Sequence, residues 1–263
     1  MRAWRLVGAF VRTSFQEAAA YRSDFFISLL GSFLNLATGV VGILVLFGQI
    51  DTVHGWDLNS TLALLGVYLT ISAIRGLFMG PSLDSLAGMD GEIWSGAFDF
   101  TLLRPVDTQF FVSFRKWRLF ALVDLLLGVG VLAGSVARMG AEIPLVRVLA
   151  FLFMLLISMS VLYSILLLFA ALTFRSPGVL FTWVFDGLFQ MARFPNVIYP
   201  GWLKLVLTWI VPVGVITTFP ARVLTSTLSL NEALLGLILA AGLFLLSTAM
   251  FKAGLKRYRS ASS

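Results

Sequence analysis

Residues 145–173 read LVRVLAFLFMLLISMSVLYSILLLFAALT, a run broken by one charge, Arg147. A helix needs roughly 20 mostly apolar residues to cross the hydrocarbon of a bilayer, and this stretch exceeds that length. Six further apolar stretches, 25–48, 58–80, 117–137, 178–193, 201–225 and 230–253, qualify or nearly do. Nothing alternates at period two as an outer-membrane strand would, and lipid leaves unpaired backbone without partners, so the expected elements are helices. Composition agrees: 59% of the 263 residues are hydrophobic and 12% charged, too few charges for a water-facing surface of this size. The fold class is an all-α polytopic membrane protein. The absence of cysteine and the single histidine, His54, exclude disulfides, thiolate chemistry and multi-histidine metal sites.

The two termini set the parity of crossings. Arg2, Arg5, Arg12 and Arg22 lie at one end of the chain and Lys252, Lys256, Arg257 and Arg259 at the other. The positive-inside tendency puts both in the cytoplasm and asks for an even number of spans. Seven stretches must therefore yield six transmembrane helices. The stretch 201–225 contains Pro212 and Pro220, which break its helix, and is predicted to be a re-entrant outer helical hairpin before the last span. Five basic residues then fall outside, Arg138, Arg147, Arg193, Lys204 and Arg222, against 14 inside. A rival layout of equal parity makes 178–193 the non-crossing segment.

Residues 1–24 do not resemble a cleaved signal peptide, because arginines interrupt any apolar core. They read as an amphipathic interfacial helix with Trp4, Val7, Val11, Phe15 and Ala18 on one face. Its task is either topogenic anchoring or transmission of motion to the first span. The loop from Pro81 to Phe114 mixes Asp84, Asp90, Glu92, Asp99, Arg104 and Asp107 with Leu86, Ile93, Trp94, Phe98, Phe100, Leu102 and Leu103. Such a mixture suits docking against another protein, or packing on the underside of the bundle. Asp124 and Asp186 lie in expected spans, Asp124 about 12 Å along a helix from Lys116. There they serve either as polar contacts in a pathway or as hydrogen-bonded structural carboxylates. Gly76-x-x-x-Gly80 and Gly130-x-x-x-Gly134 have the spacing for close helix approach. Arg75 is expected to snorkel or pair near the inner surface, and His54 to be a solvated loop residue.

The run Gly91-Glu92-Ile93-Trp94-Ser95-Gly96-Ala97-Phe98-Asp99-Phe100-Thr101-Leu102-Leu103-Arg104-Pro105-Val106 resembles the signature of small ABC transporter permeases of the type-2 exporter class. Tyr199-Pro200, Ile210-Val211-Pro212 and Phe219-Pro220-Ala221 sit where that family has proline-bearing outer segments. The resemblance implies one permease domain over residues 1–263, with a coupling helix between spans two and three. It also implies a second permease subunit, in a homo- or heterodimer, above separate ATP-binding cassette subunits in a bacterial cytoplasmic membrane. No Gly-x-x-x-x-Gly-Lys-Ser/Thr loop is present, so ATP must be hydrolysed elsewhere. The ATPase-coupling interface is expected to comprise Glu92, Trp94, Phe98, Asp99 and Arg104, although Arg104-Pro105 also reads as a simple helix stop. The expected function is an exporter permease with no cofactor, no metal, no nucleic-acid partner and no catalytic site. The alternative is a non-transporting membrane scaffold.

Overall fold

The computed structural model describes residues 3–20, 22–140, 144–179, 181–225 and 228–258. Arg2 and Arg259 lie outside these, and the side chains of Trp4 and Arg22 are outside the described set as well. The helices, in order, are α1 (Ala3–Ala20), α2 (Arg22–Phe47), α3 (Leu58–Ile74), α4 (Gly80–Asp84), α5 (Phe98–Leu102) and α6 (Thr108–Phe114). They are followed by α7 (Ala121–Arg138), α8 (Leu145–Thr173), α9 (Phe181–Gln190), α10 (Gly201–Leu205), α11 (Val213–Leu224) and α12 (Leu230–Arg257). Among the described residues, five stretches are long and apolar enough to cross a membrane: Asp24–Phe47, Leu58–Asp84, Ala121–Arg138, Leu145–Thr173 and Leu230–Arg257.

The second of these outruns its expected end at residue 80. A π-helical turn, Arg75–Met79, joins α3 to α4, with the Gly80 amide donating to the Arg75 carbonyl. Pro81 has no N–H to offer the Leu77 carbonyl four residues back. That carbonyl instead accepts from the Arg118 amide at 2.8 Å. The proline thus frees an acceptor that seats the chain just before α7.

Helix α3 is buried along nearly its whole length, as expected of a helix apolar on every side. Its closest neighbour is α7, and glycines set the approach. A Cβ on Gly66 would lie 2.6 Å from the Leu132 amide nitrogen, and one on Gly128 2.7 Å from that of Thr70. Of the two glycine pairs with the spacing for close approach, a Cβ on Gly76 would meet the Arg118 side chain at 3.0 Å and one on Gly80 the Arg75 carbonyl of its own helix at 3.4 Å, and the other pair is Gly130 and Gly134. A Cβ at either would meet nothing within 4 Å, so that pair faces away from the crossing. On the other side, α8 packs against α12 and α11, and the Ser158 hydroxyl donates to the Val215 carbonyl at 3.3 Å.

The stretch 178–193, expected as the fifth span, is only a 10-residue helix, α9, followed by a 3₁₀ turn at Met191–Arg193. Together these rise about 21 Å, short of the ~30 Å of hydrocarbon. The remaining distance is covered by irregular chain and a second 3₁₀ turn, Asn196–Ile198. As a result Arg193 is not in an outer loop. Its guanidinium donates to Asn35 Oδ1 at 2.6 Å and lies 5.3 Å from the centre of the Tyr68 ring. Tyr68 is ten residues, about 15 Å, into α3, so Arg193 sits deep in the bundle.

The segments Gly201–Ile210 and Val213–Leu224 meet at 91°. Gly201 and Lys204 at one end of this pair and Leu224 at the other line the same cavity. Val215, near the bend, touches Ser158, which is 13 residues or about 20 Å into α8. The bend therefore lies at depth in the bundle, as either a broken span or a re-entrant loop would place it.

Both described chain ends lie at the opposite end of the bundle. Helix α1 meets the segment before α7 through the Phe10–Phe111 ring contact at 5.4 Å and the Trp117 amide, which donates to Ser14 Oγ at 3.2 Å. Tyr258, just past α12, meets Phe98 at 5.3 Å. The face of α1 turned to the protein carries Phe10 and Ser14, while Phe15, of the stripe expected to enter the headgroup layer, is 63% exposed and free of the bundle.

Candidate functional site

The end of the bundle that carries both termini also holds the segment between α4 and α7. Its base is braced by charge. Arg115 pairs with Glu92 at 2.6 Å, with only 9% and 19% of the two side chains exposed, and Lys116 approaches the same carboxylate at 3.5 Å. Arg115 also donates to Ser85 Oγ at 3.0 Å and to Thr101 Oγ1 at 3.3 Å. One guanidinium thus ties together the beginning, middle and end of the segment, a use suited to its fixed fork of donors. The Ser82 hydroxyl donates to the Lys116 carbonyl at 2.9 Å and accepts from its amide at 3.0 Å.

A second brace is aromatic. Phe98 is 0% exposed, edge-on to Phe174 at 5.4 Å and to Tyr258 at 5.3 Å. Phe174 in turn meets Phe251 of α12 at 5.4 Å. Asp99 lies beside Tyr258. Burial first, then the hydrogen bond and charge of Asp99, push the Tyr258 phenol up to about 12. A third brace is polar: Gln109 Nε2 donates to Tyr163 Oη of α8 and to Thr248 Oγ1 of α12, each at 3.2 Å. Ser113 reaches the same tyrosine oxygen at 2.9 Å.

Against this rigid base, five large apolar side chains project. Met89, Trp94, Phe100, Leu102 and Leu103 are all exposed, Trp94 by 53% and Leu103 by 80%. Trp94 is steadied by Gly178 of the α8–α9 connection, where an added Cβ would touch its ring at 3.6 Å. Arg104 is exposed with its guanidinium 4.7 Å over the Phe111 ring. Asp107 caps α6, accepting from the Phe110 amide at 2.8 Å. Exposed apolar groups rimmed by charge on a fixed support are the composition of a protein-docking face.

The five residues singled out from sequence thus divide. Trp94 and Arg104 face outward. Glu92 and Phe98 face inward and hold the segment's shape, and Asp99 hydrogen-bonds Tyr258. Phe100 and Leu103 are the exposed neighbours that the sequence reading did not select.

Asp186 and Asp124 also part company. Asp186 pairs with Arg75 at 2.6 Å, joining α9 to the π-helical turn, and Arg75 lies 5.8 Å from the centre of the Phe185 ring. Thr182 hydrogen-bonds Asp84, next to the same arginine. A π-turn inside a helix is often found at functional sites, and here it carries the cation between two carboxylates. Asp124 stands in the first turn of α7. The helix begins at Ala121 rather than at Lys116, so Asp124 lies near the helix mouth, where the dipole favours an anion. The structure does not bring Asp124 and Asp186 together into one described contact.

A family model described as "ABC-2 family transporter protein" matches residues 33–262. No curated protein matches, and no solved structure matches.

Proposed function

The chain belongs to the ABC-2 family of transporter proteins, and from that premise we propose that it is the permease subunit of an ATP-driven exporter in a bacterial cytoplasmic membrane. ABC-2 permeases are membrane components that work with a separate ATP-binding subunit. In this reading the face bearing Trp94, Phe100, Leu103 and Arg104 receives that subunit, and both termini are cytoplasmic. The observation that carries it is the contrast between exposed apolar tips and a buried, triply braced base.

A docked motor moves the tips, and the braces decide what moves with them. The Phe98 cluster passes displacement to the ends of α8 and α12, and Gln109 passes it to Tyr163 and Thr248 in the same two helices. The Arg75–Asp186 pair links α3 to α9. Rigid-body shifts of packed helices between two arrangements are a common form of such coupling. Substrate would pass between two permease protomers, along faces contributed by α2 and α9. The exposed apolar side chains of α2, among them Phe26, Ile27 and Leu30, suit either the second protomer or lipid.

The test is ATP hydrolysis by the co-purified ATP-binding subunit in reconstituted vesicles. Substituting both Trp94 and Leu103 by Ala should abolish co-purification or reduce turnover to that of the isolated ATPase. Unchanged association and turnover would refute the docking face. A membrane scaffold predicts association without any response of turnover to candidate cargo.

A further inference from the structure

At the end of the bundle away from Trp94, a cavity of about 970 Å³ opens between the loop before α3, the start of α8, both ends of the bent α10–α11 pair and the start of α12. Three cations line it, Arg147, Lys204 and Arg222, with two carboxylates, Asp57 and Glu232. Both carboxylates are engaged. Asp57 Oδ1 accepts from the Ser60 amide at 2.9 Å and caps α3. Glu232 accepts from Arg222 at 2.5 Å and from the Ser229 amide at 2.9 Å, closing the capping box of α12. Arg147 and Lys204 therefore have no carboxylate partner among the described residues. Arg147 also stands in the first turn of α8, where the helix dipole opposes a cation and favours an anion beside it.

The cavity does not end in polar walls. Trp56, Trp209 and Phe219 line it too, and Leu224 is a wall that it shares with a smaller pocket of about 190 Å³ between α7 and α8. That pocket is lined by apolar side chains alone, including Val129, Leu132, Val148 and Phe151. Arg147 lines the first cavity and its neighbour Val148 the second, so one turn of α8 presents a cation to one space and a methyl surface to the other. Val129 is exposed on the outer face of α7, where a bilayer would lie against it. A charged chamber that adjoins a lipid-side apolar groove across Leu224 matches an anionic head joined to an alkyl chain, the same pairing of cations and apolar walls by which basic pockets on the cytoplasmic side of other membrane proteins hold lipid headgroups.

We propose that this vestibule holds one anionic phospholipid from the surrounding bilayer, with its phosphate between Arg147 and Lys204 and one acyl chain in the α7–α8 groove. The lipid bridges α8 to α10 and so fixes the bent α10–α11 pair against the bundle. The site needs no ATP-binding subunit, and its test is independent of the docking face described above.

The experiment is native mass spectrometry of the purified full chain, released from detergent after incubation with phosphatidylglycerol, phosphatidylcholine of equal chain length, or glycerol 3-phosphate. The wild type should retain one phosphatidylglycerol with about tenfold preference over phosphatidylcholine, and no glycerol 3-phosphate. R147Q/K204Q should erase that preference, R147K/K204R should restore it, and V148W should reduce retention by filling the groove. Three results would each overturn the proposal. These are equal retention of the two lipids, R147Q/K204Q indistinguishable from wild type, and glycerol 3-phosphate retained as well as the lipid. Retention of the preference in R147K/K204R guards against loss through misfolding.

Discussion

Replacing Phe98 by Ala separates a bracing role from a docking role. Phe98 is fully buried, and its ring meets Phe174 and Tyr258 edge-on at 5.4 and 5.3 Å. Truncating a buried Phe costs about 3–5 kcal/mol, of which each lost aromatic pair accounts for roughly 0.5–1.5 kcal/mol. The loss falls on the contacts holding the 85–104 segment to the ends of α8 and α12. The segment should therefore open locally more often, by roughly 100-fold or more at 1.4 kcal/mol per tenfold. Hydrogen exchange followed by mass spectrometry reads this directly, through the amides of Glu92, Ser95 and Phe98, which are bonded within the segment. Trp94→Ala, truncating a side chain that is 53% exposed, should leave those rates within a few-fold of wild type while weakening association with the ATP-binding subunit. If Phe98→Ala leaves exchange unchanged, or if Trp94→Ala accelerates it equally, the division into brace and tip is refuted.

Other expectations follow from the same contacts. Glu92→Gln strands the Arg115 guanidinium, only 9% exposed, at a cost of about 2 kcal/mol after allowing for partial solvation. Adding Arg115→Met should recover part of the loss in a double-mutant cycle of melting midpoints, and simple additivity would contradict the pairing. The Tyr258 phenol is raised to about 12 from 10.0, so its contribution is fully present below pH 10 and is lost as pH rises toward 12. Thermal melting across that window should fall more steeply for wild type than for Tyr258→Phe, and parallel curves would exclude the linkage. Gly128→Ala places a Cβ 2.7 Å from the Thr70 amide nitrogen and should destabilise by about 1–3 kcal/mol, whereas Gly130→Ala should be silent. Equal melting midpoints for the two would refute the assigned crossing. Arg193→Met should lower the melting midpoint by removing the contacts to Asn35 and Tyr68, an effect absent if Arg193 lay in a solvated loop.

Much of the architecture was legible because the bilayer imposes length. Runs such as 145–173 and 230–253 exceed what a buried soluble helix needs, and both emerge as single long helices. Pro212 marked the 91° bend between Gly201–Ile210 and Val213–Leu224, and the charge mixture in 81–114 marked the segment that now carries exposed Trp94 and Leu103. The family resemblance, read from Gly91 to Val106, is met by the match over residues 33–262. The limits of that reading are equally specific. The stretch 178–193 had the composition of a span but not its helix, because irregular backbone at that depth is sheltered by α3 and α11.

Which face of each helix meets protein was not legible, for one physical reason. In water, polarity distinguishes the outside of a helix from the inside, but lipid and protein core are both apolar and the distinction vanishes. Composition alone therefore determined that this chain is a helical membrane protein and where its polar connections lie. Only tertiary packing decided that Gly66 and Gly128 form the crossing, that Phe98 turns inward while Trp94 turns out, and that Arg193 finds Asn35 deep in the bundle. Each of those choices rests on distances between residues far apart in the chain, which no local run of amino acids can specify.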